Sequence, residues 1–187
     1  MTDRLLDQII VVDVESTCWE GPPPPGQQSE IIEIGVCLLD VASGKRSARR
    51  SMIVRPVYSK VSDFCSQLTT LTQAQVEAGM TFQEACDILR NDYASLLRPW
   101  ASFGNYDRNQ FARQCRLSRV FYPFSDTHIN VKNLFTLVHQ LPEEPDLPCA
   151  LKMMGMEFEG TYHRGDSDAW NVAALLGGLL QKARRDA

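Results

Sequence analysis

The sequence lacks the features that mark a zinc protein, a disulfide framework or a membrane protein. Its six cysteines are scattered, and no two of them form a CxxC pair. We expect them to be reduced and mostly buried. No apolar run is long enough to cross a bilayer. The first residues, MTDRLLDQII, carry acids around their apolar run and do not have the form of a secretory signal. These absences predict a cytoplasmic protein with no membrane partner.

The chain also lacks the positive charge typical of nucleic-acid-binding domains. Its formal net charge is −4, which does not exclude a nucleic-acid enzyme, because bound divalent cations can reverse the sign of a local site. Two local basic clusters occur, and we expect both to be solvated surface: KRSARR at 45–50, and Arg113, Arg116 and Arg119. A GxxxxGK[ST] phosphate loop is missing, and DVEST does not resemble a nucleophilic DxD motif. Both facts argue against a phosphatase or phosphotransferase.

The patterns that are present predict strands first and then strands alternating with helices. The 187 residues, 44% of them hydrophobic, suffice for one domain over 1–187. DQIIVVDV, EIIEIGVCLLD and RRSMIVRP read as strands, the last two forming an antiparallel hairpin, and WASFG and SDTHI as two shorter strands. Polar residues stand at four predicted helix starts: Thr72, Thr81, Asn105 and Asn130. The helix after Thr81 is predicted to run through roughly Leu97. The order indicates an α/β domain with a mixed sheet flanked by helices.

Two carboxylates stand at the end of the first predicted strand. Asp13 and Glu15 are two residues apart, so their side chains project from one face of the strand. The preceding run IIVV predicts a central strand, and an ionised carboxylate near a core is costly unless it is paired or bound to a metal. The alternative is that both residues lie just past the strand, in water.

Two more acids precede the last predicted helix, in HRGDSDAWNVAALL. At about 100° per residue, Asp168 lies on the apolar stripe of this helix, whereas Asp166 lies about 120° from the centre of the stripe. The stripe consists of Val172, Leu175, Leu176 and Leu179. We therefore interpret Asp166 as the helix N-cap, and Asp168 as an inward acid that is either stabilised by the helix dipole or bound to a metal. Asp107, in the first turn of another helix, has the same two interpretations.

In order along the chain, DVEST, SFGNYD and HRGDSDAWN resemble the three motifs of the DEDDh 3′→5′ exonucleases. The stretches EIIEIG, SDFCSQLTTLTQAQVEAGMTF and LKMMGMEFEGTYH extend the resemblance over roughly Ile9 to Leu180. It is nearest to the branch of the histone-mRNA and small-interfering-RNA 3′ exoribonucleases and their bacterial relatives. The DxE pair alone is a weak motif, but the full set in order is strong.

The resemblance implies which residues form the site. It assigns four acids and one histidine: Asp13, Glu15, Asp107, Asp168 and His163. The family places its last acid five residues after the histidine, and this spacing selects Asp168. The chain departs from the family where an apolar residue and an acid usually precede that last acid, because Asp166 and Ser167 stand there.

The resemblance also implies an RNase H-like fold and two divalent cations, Mg²⁺ or Mn²⁺. Two such ions about 4 Å apart stabilise negative charge on the attacking and leaving oxygens of a phosphodiester, and carboxylates are the oxygen ligands that they prefer. His163 is then the general base; the alternative is a surface-loop histidine. We interpret His128 and His139 as structural.

Substrate contacts follow from the same resemblance. Ser16 and Thr17 match positions that line the terminal sugar, and Phe64 and Leu68 match positions that sandwich the terminal base. Tyr106 stands where a relative has an aromatic residue beside the acid. Stacking on an aromatic ring tolerates any base. The alternative for Phe64 and Leu68 is core packing.

The sequence therefore predicts a metal-dependent 3′→5′ exonuclease that releases nucleoside monophosphates from single-stranded ends, with RNA preferred. One alternative is the same chemistry on DNA, since the 2′-hydroxyl separates these substrates and no residue shows which is read. Another is a nucleic-acid-binding module that has lost catalysis, against which the intact acid set argues. Protein partners and oligomeric state do not follow from the sequence.

Overall fold

The computed structural model describes residues 4–185 and contains a five-stranded mixed sheet. The strands are β1 (Gln8–Ser16), β2 (Ile31–Asp40), β3 (Arg46–Ile53), β4 (Trp100–Ser102) and β5 (His128–Asn130). Their order across the sheet is β3-β2-β1-β4-β5. The first three strands pair antiparallel, whereas β4 pairs parallel with β1 and with β5. The predicted mixed sheet is therefore confirmed, with β1 at its centre.

Seven helices occur within the described residues, and they cover both faces of the sheet. They are α1 (Asp63–Thr69), α2 (Gln73–Glu77), α3 (Phe82–Tyr93), α4 (Tyr106–Ser118), α5 (Val131–Val138), α6 (Leu147–Met153) and α7 (Gly165–Arg185). Alternate residues of β1 belong to two different cores: Ile10 and Val12 pack with α3 and α4, and Ile9 and Val11 pack with α5, α6 and α7. Asp13 and Glu15 continue the second row, so the two acids of β1 lie on the face that α7 covers.

Most predicted helix starts are confirmed, and one predicted helix end is wrong. Thr72 and Thr81 both form capping boxes, and the Asn130 side chain accepts a hydrogen bond from the backbone of Asn133. Asn105 precedes α4, but its side chain makes no capping hydrogen bond. Helix α3 ends at Tyr93 rather than near Leu97, because Ala94 adopts a left-handed conformation.

Helix α7 starts two residues earlier than predicted, which corrects the interpretation of Asp166. The helix begins at Gly165, so Asp166 lies inside its first turn and is not the N-cap. Its carboxylate instead forms a 2.8 Å ion pair with Arg49 of β3. Gly165 packs directly against Gly35 of β2, where a Cβ atom would overlap the backbone of Gly165 and Asp166. This glycine contact brings the start of α7 onto the sheet beside β1.

The structure agrees with the prediction of reduced, mostly buried cysteines and places the basic cluster at 45–50 on the surface. All six cysteines are free, four of them are buried, and Cys149 is exposed. Arginines of the 45–50 cluster lie on edge strand β3, where Arg46, Arg49 and Arg50 each pair with an acid. Among the described helices, none is long and apolar enough to cross a membrane.

Candidate active site

A cavity of about 370 Å³ opens where β1 and β4 end and where α4 and α7 begin. Four acids and one histidine predicted from the sequence line it: Asp13, Glu15, Asp107, Asp168 and His163. We call the four carboxylates the acid cluster. The structure thus brings together residues from the first strand, a central helix and the last helix.

The strand and helix backbones fix the positions of the acid cluster. Asp13 and Glu15 lie within β1 and not beyond it, so their alternation on the strand aims both at the cavity. Asp107 lies in the first turn of α4, and its carboxylate accepts a 2.9 Å hydrogen bond from the backbone N–H of Val14. This bond ties the start of α4 to the end of β1.

Asp168 has an oxygen that no protein group satisfies. The residue is 4% exposed, and its Oδ1 atom is buried without a hydrogen-bond partner among the described residues. One carboxylate oxygen each of Glu15 and Asp168 and one ring nitrogen of His163 lie within 4.8 Å of one another. A buried, unpartnered carboxylate oxygen is costly, and hard oxygen donors are what Mg²⁺ and Mn²⁺ prefer. These residues fit a divalent cation.

Burial raises the pKa of every member of the acid cluster, and repulsion by neighbouring carboxylates adds to the shift at Asp13, Glu15 and Asp168. Burial raises the pKa of Glu15 to about 8, with Asp168 and a further acid, Glu33, adding to the shift. Burial likewise raises the pKa of Asp168 to about 7 and of Asp107 to about 6. The pKa of Asp13 is well above its usual value because of burial and the neighbouring carboxylates. Positive charge in the cavity would relieve all of these costs.

His163 lies in the loop directly before α7, in an unusual backbone conformation. Its φ of +60° is in the left-handed region, which side chains other than glycine rarely adopt. The ring packs against Tyr162 with a centroid distance of 4.0 Å. Loss of hydration lowers the pKa of His163 below its usual value. The ring is therefore mainly neutral at pH 7 and able to accept a proton.

The predicted substrate residues fall into two groups. Ser16, Leu68 and Tyr106 line the cavity. Thr17 does not: its side chain is fully buried, hydrogen-bonds to Ser59 and accepts from the backbone of Glu30.

Phe64 lies one helical turn before Leu68 on α1, a helix absent from the predicted element set. Its side chain is 40% exposed, so Phe64 is not part of the core, but Phe64 is not among the residues that line the cavity. The histidines outside the cavity are accounted for by packing: His128 lies against Trp100 and bonds Ser102, and His139 packs on Phe135.

Several residues of the cavity or its wall were not predicted as site residues, among them Glu33, Lys132 and Tyr162. Glu33 of β2 is the direct cross-strand partner of Glu15 and is fully buried. Lys132 of α5 and Tyr162 line the cavity. The period-two pattern of EIIEIG places Glu33 on one face of its strand with Gly35, but only the strand register places it beside Glu15. No sequence pattern indicated a role for Lys132 in the site, because a lysine in the first turn of a helix is common on protein surfaces.

Comparison with known proteins gives consistent results. A family model described as exonuclease matches residues 10–176. The chain is 32% identical to human 3′-5′ exoribonuclease 1 over 96% of this chain and 54% of that protein. It is 29% identical to the Drosophila melanogaster 3′-5′ exonuclease Snipper, over 90% of this chain and 67% of that protein. The chain thus spans about half the length of the mammalian relatives.

Solved structures show the same likeness. The nuclease domain of 3′hExo, a DEDDh family member bound to rAMP, superimposes with a TM-score of 0.86 at 30% identity, covering 97% of this chain and 95% of that one. A 3′-exonuclease described in 3′-end-specific recognition of the histone mRNA stem-loop gives a TM-score of 0.84 at 30% identity, covering 96% and 84% of the two chains.

Proposed function

Because the chain belongs to the exonuclease family whose model covers residues 10–176, with the RNase H-like fold of its DEDDh members, we propose that it is a metal-dependent 3′→5′ exoribonuclease. It removes nucleoside 5′-monophosphates one at a time from single-stranded 3′ ends. We further propose that residues 1–187 act as one exonuclease domain. The single observation that carries the proposal is the convergence of Asp13, Glu15, Asp107, Asp168 and His163 on one cavity.

The acid cluster would hold two divalent cations, Mg²⁺ or Mn²⁺. When bound, the cations supply positive charge to the attacking and leaving oxygens of the phosphodiester. The unpartnered Oδ1 of Asp168 supports its assignment as a ligand, and the raised pKa of Glu15 supports the need for a counter-charge. Cation binding must displace protons, because the ligands have to be ionised.

His163 would take the proton from the attacking water. Oxygen of this water forms a bond to phosphorus, and the bond from phosphorus to the 3′ oxygen of the preceding nucleotide breaks. That oxygen takes up a proton, so the products are a nucleoside 5′-monophosphate and an RNA chain with a free 3′-hydroxyl. The lowered pKa of His163 keeps its ring neutral and ready for this step.

The outer part of the cavity would hold the terminal nucleotide. Ser16 has a buried hydroxyl without a partner among the described residues, which suits a contact to the terminal sugar. Leu68 and Phe64 share one face of α1 and can sandwich a base. Lys132 is the one lysine or arginine among the lining residues that the structure shows, and its ammonium lies 5.9 Å from the Phe103 ring centre. We assign it to a backbone phosphate.

The test is digestion of 5′-labelled single-stranded RNA and DNA of equal sequence with Mg²⁺, Mn²⁺ or EDTA. We expect RNA to shorten in single-nucleotide steps and a 3′-phosphate to slow the reaction, because the terminal sugar then no longer fits. Faster digestion of DNA would assign the activity to the DNA-directed alternative. Cleavage of circular RNA at a similar rate would contradict the exonuclease assignment.

A further inference from the structure

Glu33 is a fifth carboxylate beside the acid cluster, and its hydrogen bonds lead to the His163 segment. Its oxygens accept hydrogen bonds from Nε and Nη2 of Arg164, both at 3.0 Å. They also accept from the backbone N–H of Gly165 at 3.1 Å and from the hydroxyl of Ser51. Glu33 is fully buried, whereas the Arg164 side chain is 26% exposed. The two-point contact fixes the orientation of the guanidinium as well as its distance.

The backbone that follows Arg164 is fixed at the same place. The Arg164 carbonyl accepts the N–H groups of Ser167 and Asp168, both at 2.9 Å. The peptide group that follows Arg164 is thus held through its oxygen by the first turn of α7 and through its N–H by Glu33. The residue before Arg164 is His163, with its left-handed backbone. One arginine therefore separates the predicted base from an anchored peptide.

The ion pair between Glu33 and Arg164 lies next to His163, the proposed proton acceptor. Glu33 and Glu15 are direct partners in the strand register, and both face α7. Arg164 supplies the only guanidinium that directly contacts Glu33 among the described residues. A non-glycine residue in the left-handed region is strained, and this conformation persists where its neighbours hold it. The Tyr162 ring contacts His163 on one side, and the anchored Arg164 follows it on the other.

We propose that Glu33 and Arg164 are positioning residues that hold the His163 ring in place for proton transfer in the cavity. This inference rests on the proposed function, in which His163 is the general base. Neither residue touches the substrate in this scheme; both act through the backbone of His163.

The test compares two substitutions at Arg164 with one at Arg49, an arginine of β3 that pairs with the first turn of α7. Arg164→Lys keeps the charge but cannot make the two-point contact, and Arg164→Gln removes the charge as well. Arg49→Gln is the control, because Arg49 pairs with Asp166 from the outer side. With 5′-labelled RNA, we expect kcat to fall about 10- to 100-fold in both Arg164 variants. We expect KM to stay within about threefold in both variants. The melting temperature of Arg164→Lys should stay near that of the parent, whereas that of Arg164→Gln should fall, because Glu33 is then buried without its counter-charge. Arg49→Gln should keep the parental kcat.

A second readout follows the ring itself. The chain has three histidines, so protein with ¹⁵N-labelled histidine gives few signals. We expect the His163 ring signals to move in Arg164→Lys and Arg164→Gln and to stay in Arg49→Gln, with His128 and His139 unchanged throughout. A purely structural role of Arg164 would lower the melting temperature without a selective change at His163.

The outcomes separate this inference from the proposed function. Parental kcat in a folded Arg164→Lys variant, with His163→Ala inactive, overturns the positioning role and leaves the exonuclease assignment intact. An inactive parent, or an active His163→Ala variant, overturns the proposed function instead. If Arg164→Gln does not fold, Arg164→Lys alone decides, and unchanged His163 signals in that variant also overturn the proposal.

Discussion

The acid cluster and the outer part of the cavity differ in how firmly the fold holds them. Glu15, Asp107 and Asp168 are 3–9% exposed and lie on a central strand or in a first helical turn. Phe64, Tyr106 and Tyr162, by contrast, are 40–56% exposed and lie at the edge. Charges that must hold cations at fixed spacing need a rigid frame, whereas a surface that stacks on any base can tolerate movement. The comparison shows that the charged side chains lie on buried, regular elements, whereas the side chains proposed to contact the base lie at the exposed edge.

Removal of metal should have the largest effect, because it acts on the whole acid cluster. We expect EDTA to abolish hydrolysis and excess Mg²⁺ or Mn²⁺ to restore it. Either cation should also raise the melting temperature by relieving repulsion among the carboxylates. Labelled-RNA digestion and thermal melting measure the two effects. Undiminished hydrolysis in EDTA would contradict the metal-dependent mechanism and the distinction between the two parts of the cavity.

Substitutions of the two aspartates in the first turn of α7 should differ strongly in their effect on RNA hydrolysis. Asp168→Asn keeps the shape but removes one of the proposed cation ligands, so we expect the hydrolysis rate to fall by several orders of magnitude with the fold intact. Asp166→Asn loses a partly exposed ion pair with Arg49, worth about 0.2–1 kcal/mol. Its activity should stay within about tenfold of the parent, a barrier change below roughly 1.4 kcal/mol. Calorimetry of Mn²⁺ binding to both variants tests whether Asp168 holds the cation. An inactive Asp166 variant beside an active Asp168 variant would show that the roles of the two aspartates are the reverse of those proposed.

The outer part should tolerate change better than the acid cluster. We expect Phe64→Ala to raise KM severalfold and to change kcat little, because a stacked base is worth about 1–3 kcal/mol. Phe121→Ala is the control, since Phe121 is also an exposed ring but does not lie on α1 beside the lining residue Leu68. Steady-state kinetics on one RNA measures both variants. Equal behaviour of the two would mean that Phe64 does not contact the base.

The smallest expected effect is the dependence of metal-free stability on pH. The pKa of Glu15 is raised to about 8 in the folded protein, whereas an ordinary glutamate has a pKa of about 4.3. Folded protein therefore binds this proton more tightly, and the associated stability is lost as the pH rises towards 8. His128 and His163 act in the opposite direction, because their pKa values are lowered.

Comparison with Glu15→Gln isolates the carboxylate from the histidines. In EDTA, we expect the melting temperature of the parent to fall relative to that of Glu15→Gln between pH 6.5 and 8.5, a window set by the raised Glu15 pKa of about 8. Parallel curves for the two proteins would show that the carboxylate is not perturbed. Saturating Mn²⁺ should remove most of the difference in the parent, because the cation competes with the proton.

Sequence patterns predicted the frame of the site better than its surroundings. The apolar β1 strand and the capping boxes at Thr72 and Thr81 depend on local chemistry, and both are present. Helix α1 is seven residues long, too short for a clear apolar period.

Contacts between distant segments account for the remaining differences. The pairing of Glu33 with Glu15 depends on strand register, and the start of α7 at Gly165 depends on contact with Gly35. No local pattern encodes either contact. The interpretation of Asp166 as a cap failed for the same reason.

The bond between Glu33 and Gly165 joins residues 132 positions apart, and this separation has a consequence for biosynthesis. A chain emerging from the ribosome presents Asp13, Glu15 and Asp107 long before Asp168. Non-local contacts of this kind form late in folding, because the loop between them must close first. The cavity is therefore completed only when α7 docks. Under the proposed function, a growing chain in which α7 is still missing lacks Asp168 and therefore has no complete site for hydrolysis.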